Sequence, residues 1–167
     1  MPTALDLFER HHLTVFRFLV RMGLSREDAE DATQEVFLRV PRALPAYEER
    51  QSERAWVFRI ARNVRLDQWR AAGRALTPEP LNGEPAARSV PAAERLALEQ
   101  ALEQLGEAER ESFVLRQIGG LGYAEIAEAT GATPDAVRSR IHRARLALRL
   151  ALGGPRRLGR AAGGWEG

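Results

Sequence analysis

Residues 133–150 read TPDAVRSRIHRARLALRL, five arginines on a segment that also repeats apolar residues at helical spacing. Guanidinium groups in such a row offer paired N–H donors to phosphate oxygens and to guanine edges, a geometry that a lysine ammonium does not reproduce. At about 100° per residue, Val137, Ile141, Ala144 and Leu148 share one stripe, which predicts the buried side. Asp135, Arg138, Ser139, His142 and Arg143 fall opposite, and Arg140 and Arg145 lie at the two edges. A helix that reads duplex DNA needs this division: an apolar anchor, base-reading side chains opposite it, and cations at the margins for phosphates on either wall of the groove.

A merely solvated charged face is the competing account of an arginine-rich helix. The surrounding frame favours DNA. In YAEIAEATGATPDAVRSRIHRARL a short helix is followed by Gly131 and then by a second helix, which Thr133 can cap and whose first position suits Pro134. This is the layout of a helix-turn-helix. On the outward face His142 suits a groove contact better than a metal.

The rest of the chain excludes much catalytic chemistry. There is no cysteine, hence no disulfide, thiolate zinc site or cysteine nucleophile. No paired carboxylates, phosphate loop or nucleophile constellation stand out, so we expect no enzyme activity, no metal and no cofactor. His11 and His12 are adjacent, cannot share one helix face, and suggest no site. All 25 basic side chains are arginine, which suits phosphate recognition but also follows from GC-rich coding. We see neither a signal peptide nor a membrane-spanning run, which predicts a cytoplasmic protein without membrane insertion.

Few aromatics, no alternating β-branched runs and abundant Ala, Leu, Glu and Arg predict an all-α fold. Helices are expected near 3–22, 26–40, 53–71, 92–105, 107–118, 123–129 and 134–150. Ser25 marks an N-cap, and Gly23, Gly119 with Gly120, and Gly131 interrupt the helical runs. Between the third and fourth helices, GRALTPEPLNGEPAARSVPAA carries four prolines and two glycines without apolar period. Two small helical domains, 1–72 and 92–152, joined by a flexible linker over 73–91 and followed by a tail over 153–167, account for this pattern.

The net charge of +2 hides an alternation that repeats in each half. Residues 27–53 carry eight acids and three arginines, and 54–74 carry six arginines and one acid. Residues 92–133 carry eight acids and three arginines, and 134–167 carry eight arginines and two acids. On a tether of this length, acid from one half can cover arginines of the other.

In REDAEDATQEVFLRV the core stripe is Ala29, Ala32, Thr33, Val36, Phe37 and Val40, and the reverse face holds Glu27, Asp31, Gln34, Glu35 and Leu38. A leucine amid carboxylates suits a protein-binding face, where burial and steering act together, and it also suits a solvated helix with one stray leucine. In the third helix Trp56, Val57, Ile60, Ala61 and Val64 are expected inside. Its other side mixes Arg59, Arg62, Asn63, Arg65 and Arg70 with Phe58, Leu66 and Trp69. Arginines interleaved with aromatics suit unpaired bases, while packing of Phe58 and Trp69 on a neighbouring helix is the plainer alternative.

The segments FRFLVRMGLSREDAEDATQEVFLRV, RAWVFRIARNVRLD and LGEAERESFVLRQIGGLGYAEIAEATGATPDAVRSRIHRARLALR, in this order and spacing, resemble the successive regions of an extracytoplasmic-function sigma factor of bacterial RNA polymerase. The resemblance spans about residues 5–150. It implies a region-two bundle whose Asp31, Gln34, Glu35 and Leu38 face the β′ clamp helices of core RNA polymerase, with the β subunit as a further contact. It implies that Arg59, Arg62 and Asn63 engage the melted minus-ten element, and that the loop LPAYEERQSER corresponds to a pocket for a flipped base. Region four would place Arg138, Ser139, Arg140, His142, Arg143 and Arg145 at the minus-thirty-five element. An anti-sigma factor is a further implied partner. Two positions depart from the family pattern: Pro41, where the family often has Trp, is expected to kink or end its helix, and Gly122 replaces the usual Ser or Thr cap. A helix-turn-helix regulator with a sensing or dimerising first domain is the alternative, and a DNA-cleaving or recombining enzyme with a helix-turn-helix appendage is a third.

Overall fold

A computed structural model describes residues 1–73 and 91–153, and these contain seven α-helices and no strand. The linker over 73–91 and the tail over 153–167 lie almost entirely outside the described residues.

The first half is a three-helix bundle of α1 (Ala4–Arg21), α2 (Arg26–Ala43) and α3 (Glu53–Ala71), with a short 3-10 turn at Leu44–Ala46. Each helix begins where a side-chain oxygen replaces a missing intrahelical acceptor. Thr3 Oγ1 accepts from the Asp6 amide, Ser25 Oγ from the Asp28 amide, and Ser52 Oγ from the Ala55 amide. The bundle closes on Leu7, Val15, Phe18 and Leu19 from α1, Ala29, Ala32, Val36 and Val40 from α2, and Val57, Phe58, Ala61 and Val64 from α3. The rings of Phe18 and Phe58 meet edge to face with centroids 5.5 Å apart at its centre.

Two expectations for this half need correction, and one open choice is decided. Helix α2 neither ends nor breaks at Pro41 but continues through it to Ala43. The proline sits in the last turn on the exposed side, so it removes a single N–H near an end where bonding partners already run out. For Phe58 the plainer of the two readings holds, since it is wholly buried against Phe18 of α1 and offers no base-stacking surface. Arg65 is also buried, whereas Trp56 and Ile60 are only half-buried.

The second half packs α4 (Ala92–Glu103), α5 (Glu107–Gln117), α6 (Tyr123–Thr130) and α7 (Pro134–Ala151). Leu102, Phe113, Val114, Leu115, Leu121, Ile126 and Ala129 meet Val137, Ile141, Ala144 and Leu148 of α7 in its core. The stripe expected for α7 is therefore the observed one. Gly131 ends α6 with φ +70° and no neighbouring atom that a Cβ would meet. Its glycine is required by the left-handed backbone that turns α6 into α7, and not by lack of space. Thr133 then accepts from the Ala136 amide at 3.1 Å, with Pro134 in the first turn.

The two halves meet chiefly along α3, which packs against α6.

Candidate nucleic-acid interface

The outward face of α7 carries Arg138, Ser139, His142 and Arg143, all exposed, and the half-buried Arg140 and Arg145 flank it. The four anchoring residues beneath are at most 2% exposed. Fully burying each of Val137, Ile141 and Leu148 contributes about 1.5–3 kcal/mol, so the anchor fixes the helix while the outward face adds nothing to the core. Arg138 is held from two sides, by Asp135 Oδ1 at 3.2 Å and by the ring of Tyr123 with its guanidinium carbon 5.4 Å from the centroid. Arg143 Nε lies 3.2 Å from Glu109 Oε1 of α5, so a carboxylate already orients it.

On α3, Arg59 and Asn63 are exposed and four residues apart, and Arg62 lies half-buried beside them. Arg62 Nε donates to Glu111 Oε1 at 2.8 Å, and Arg65 donates to Glu111 Oε2 at 2.9 Å and to Glu107 Oε1 at 2.9 Å. Glu111 is 4% exposed and Arg65 is 5% exposed. A buried pair of this kind adds little net stability over a well-packed apolar pair. Removing one partner strands the other charge at a cost of about 3–5 kcal/mol.

The N-terminal end of α3 is also engaged. Ser52 Oγ hydrogen-bonds Glu125 of α6, and an Arg54 guanidinium N–H donates to the Gly120 carbonyl at 3.0 Å. Burial alone would raise the pKa of Glu125, but the hydrogen bonds from Ser52 and the Gly122 amide outweigh it and hold the carboxyl below its ordinary value. Gly122 caps α6 with no side chain of its own, and the Glu125 carboxylate reaching back to its amide at 3.1 Å supplies part of what Ser or Thr would give. Arg110 Nε donates to the Arg21 carbonyl at the end of α1 at 2.9 Å.

The acidic face of α2 is open. Glu27, Asp31, Gln34 and Leu38 are exposed, Leu38 at 65%. Glu35 is half-buried and accepts from Arg39 Nε at 2.8 Å, while the same arginine reaches Asp67 of α3 at 2.8 Å. The structure thus gathers Asp31, Gln34, Glu35 and Leu38 on one surface, Arg59, Arg62 and Asn63 on a second, and the arginines of α7 on a third.

Sequence reasoning passed over Glu111, Glu125 and His11. Glu111 stands three and four residues before the buried Val114 and Leu115, so helical spacing already put it on an inward face. His11 is buried against Glu53, a pairing across 42 residues that no local pattern shows. Among the described residues, no group of three or more His, Cys, Asp or Glu side chains is placed to hold a metal ion, and no helix is long and apolar enough to cross a membrane.

Residues 7–75 match the family model of sigma-70 region 2, and residues 95–148 match that of sigma-70 region 4. The chain is 37% identical over 155 residues to the RNA polymerase sigma factor CarQ of Myxococcus xanthus, covering 89% of this chain and 88% of that one. The chain belongs to the extracytoplasmic-function sigma factors. It carries the two regions, 2 and 4, of a promoter-recognising sigma subunit. The ECF RNA polymerase sigma factor SigE of Mycolicibacterium smegmatis is 38% identical over 158 residues, which cover 89% of this chain and 61% of that longer relative. Among solved structures, CnrH in complex with the cytosolic domain of CnrY is similar with TM-score 0.69 and 29% identity, over 89% of this chain and 86% of CnrH. The sigma factor RpoE in complex with the anti-sigma factor NepR from Bartonella quintana shares the fold, with TM-score 0.76 and 24% identity over 87% of this chain and 93% of that one.

Proposed function

We propose that this sigma factor is a non-catalytic subunit that joins core RNA polymerase in the cytoplasm and directs it to promoters through three separate surfaces. Asp31, Gln34, Glu35 and Leu38 take the β′ clamp helices, the exposed leucine giving burial and the carboxylates steering. Arg59, Arg62 and Asn63 take the melted minus-ten strand. Arg138, Ser139, His142 and Arg143 enter the major groove of the minus-thirty-five element, with Arg140 and Arg145 on the flanking phosphates. The β subunit is a further polymerase contact. The observation that carries this reading is the segregation of α7: a closed apolar stripe on one side and, between Arg138 and Arg143 on the other, an exposed polar face rich in arginine.

RpoE was solved in complex with the anti-sigma factor NepR, and CnrH in complex with the cytosolic domain of CnrY. We propose an anti-sigma partner for this chain on that ground. The alternative of a free-standing helix-turn-helix regulator has no observation in its favour.

The test is transcription in vitro from fragmented genomic DNA, with core polymerase alone and with this protein added. Added protein is expected to produce new start sites that share one motif near minus-ten and another near minus-thirty-five. Failure to bind core polymerase, or start sites identical to those of core alone, would refute the reading.

A further inference from the structure

We propose that Glu109, which stands on α5 and outside the reading helix, is a positioning residue that sets the base selectivity of Arg143, and that Gly106 makes room for it. The proposal rests on the reading of α7 as the minus-thirty-five helix.

Glu109 lies 34 positions before Arg143 and meets it where α5 packs against α7. Its Oε1 accepts from Arg143 Nε at 3.2 Å, with the glutamate side chain 24% exposed and the arginine side chain 59% exposed. The two terminal nitrogens of Arg143 make no hydrogen bond among the described residues. A guanidinium held through Nε alone keeps its terminal donors as the fork that fits guanine O6 and N7. Held in this way, the arginine is also kept from swinging to the nearest phosphate, a contact that carries no sequence information.

An ion pair this exposed adds little stability. A carboxylate beside the duplex also repels phosphates on every sequence. The gain from Glu109 is therefore in discrimination and not in affinity, because the wrong contact is disfavoured more than the right one.

Gly106 is the N-cap of α5, with φ −55° and ψ 148°, a conformation open to any residue. Its backbone does not require glycine. A Cβ at this position would instead overlap Glu109 Oε2, so the missing side chain leaves the carboxylate its place. The overlap falls on the end of a flexible side chain, so Gly106→Ala displaces Glu109 and leaves the helix standing.

The test uses a promoter found by the start-site mapping above, randomised across its minus-thirty-five element. Holoenzyme reconstituted from core polymerase and the full-length protein captures fragments, which are counted and sequenced. Glu109→Ala is expected to lower discrimination at one base pair by about fivefold, the low end for a single bidentate contact, and to leave other positions unchanged. Total capture is expected to rise, since a negative charge has gone. Glu109→Gln retains an acceptor oxygen for Nε without the charge, and is expected to keep the discrimination while raising capture. Gly106→Ala is expected to follow Glu109→Ala at the same base pair.

An acid in the first turn of α5 also suits the positive end of the helix, and a role confined to stability would lower capture of all sequences together. Discrimination unchanged in Glu109→Ala, or reduced equally at every position, would overturn the proposal. If Gly106→Ala matches the parent while Glu109→Ala does not, the part given to the glycine is refuted. Arg143→Ala separates the two ideas. If it removes the preference at one base pair and Glu109→Ala does not, the minus-thirty-five reading stands and the positioning role falls. If it leaves every preference unchanged, Arg143 reads no base and the positioning role falls with it. Should Glu109→Ala fail to fold, Gly106→Ala, which leaves α5 its acids, decides.

Discussion

The imidazole Nε2 of His11 lies 2.7 Å from Glu53 Oε1 and so fastens the middle of α1 to the first turn of α3. Arg10 reaches both oxygens of the same carboxylate, at 3.0 and 2.8 Å. Burial pushes the pKa of Glu53 upward, but the hydrogen bonds from His11 and Arg10 more than offset it, leaving the group below its ordinary value. A carboxylate lowered on folding contributes stability above its unfolded pKa, and that contribution disappears as pH falls through the lowered folded value. Glu53→Gln is therefore expected to melt earlier than the parent at neutral pH, with the gap closing in acid below the ordinary glutamate range. Other lowered carboxylates are common to both proteins and cancel in the difference. A gap of constant size across the titration, measured by thermal unfolding, would contradict the assignment.

Arg143→Ala is expected to weaken minus-thirty-five binding and to relax base preference, by about 1–3 kcal/mol at one position if the arginine forks a guanine. Glu109 now orients Arg143 and is left facing the groove when the arginine is removed. A panel of single-base promoter variants, titrated at fixed salt, is the measurement. Equal loss on every sequence would make Arg143 a phosphate contact.

Charge reversal of Asp31 and Glu35 to arginine is expected to reduce capture by core polymerase. Arg39 keeps Asp67 when Glu35 is lost, so the packing of α2 on α3 has a remaining tie. The readout is a native-gel titration with core enzyme, with melting temperature as the control on folding. Unchanged polymerase affinity would remove these carboxylates from the clamp surface.

Ile141→Ala is expected to destabilise the second half by about 2–5 kcal/mol, since the side chain is 1% exposed and its loss opens a cavity beneath the reading helix. Denaturant unfolding measures the change. A loss under 1 kcal/mol would mean that α7 is anchored elsewhere.

Pro41→Ala is expected to stabilise the first half, by at most about 3 kcal/mol and by less at this helix end, because it restores one N–H to a turn that is already helical. A lower melting temperature would show that the ring is favourable where it stands.

Periodicity made the all-α fold legible, and the caps Ser25, Thr133 and Pro134 set helix starts within a residue or two. For α7 it gave the full buried stripe, because one helix packs one face against one core. It was less complete for α3, which is covered both by α1 and α2, with Phe58 against Phe18, and by the second half through Arg62 and Arg65. A single-stripe reading assigns Arg65 to solvent and leaves Phe58 undecided, and only the partner helices decide both. The pairings His11 with Glu53 and Ser52 with Glu125 join residues 42 and 73 positions apart, and no helical period encodes them. Pro41 misled for a different reason, since the penalty for proline in a helix interior shrinks in the last turn.

The reading face of α7 and its anchor share no residue. Val137, Ile141, Ala144 and Leu148 are closed off, and the angle at which they are presented is set by the backbone at Gly131 and the cap at Thr133. On the proposed function, replacing Ser139 or His142 is expected to change which bases are preferred without asking the core to repack. Promoter preference is a parameter that such a chain can drift along, one side chain at a time, while its architecture stays still. Paralogous copies in one cell can then diverge into separate gene sets by exchanging a few exposed residues.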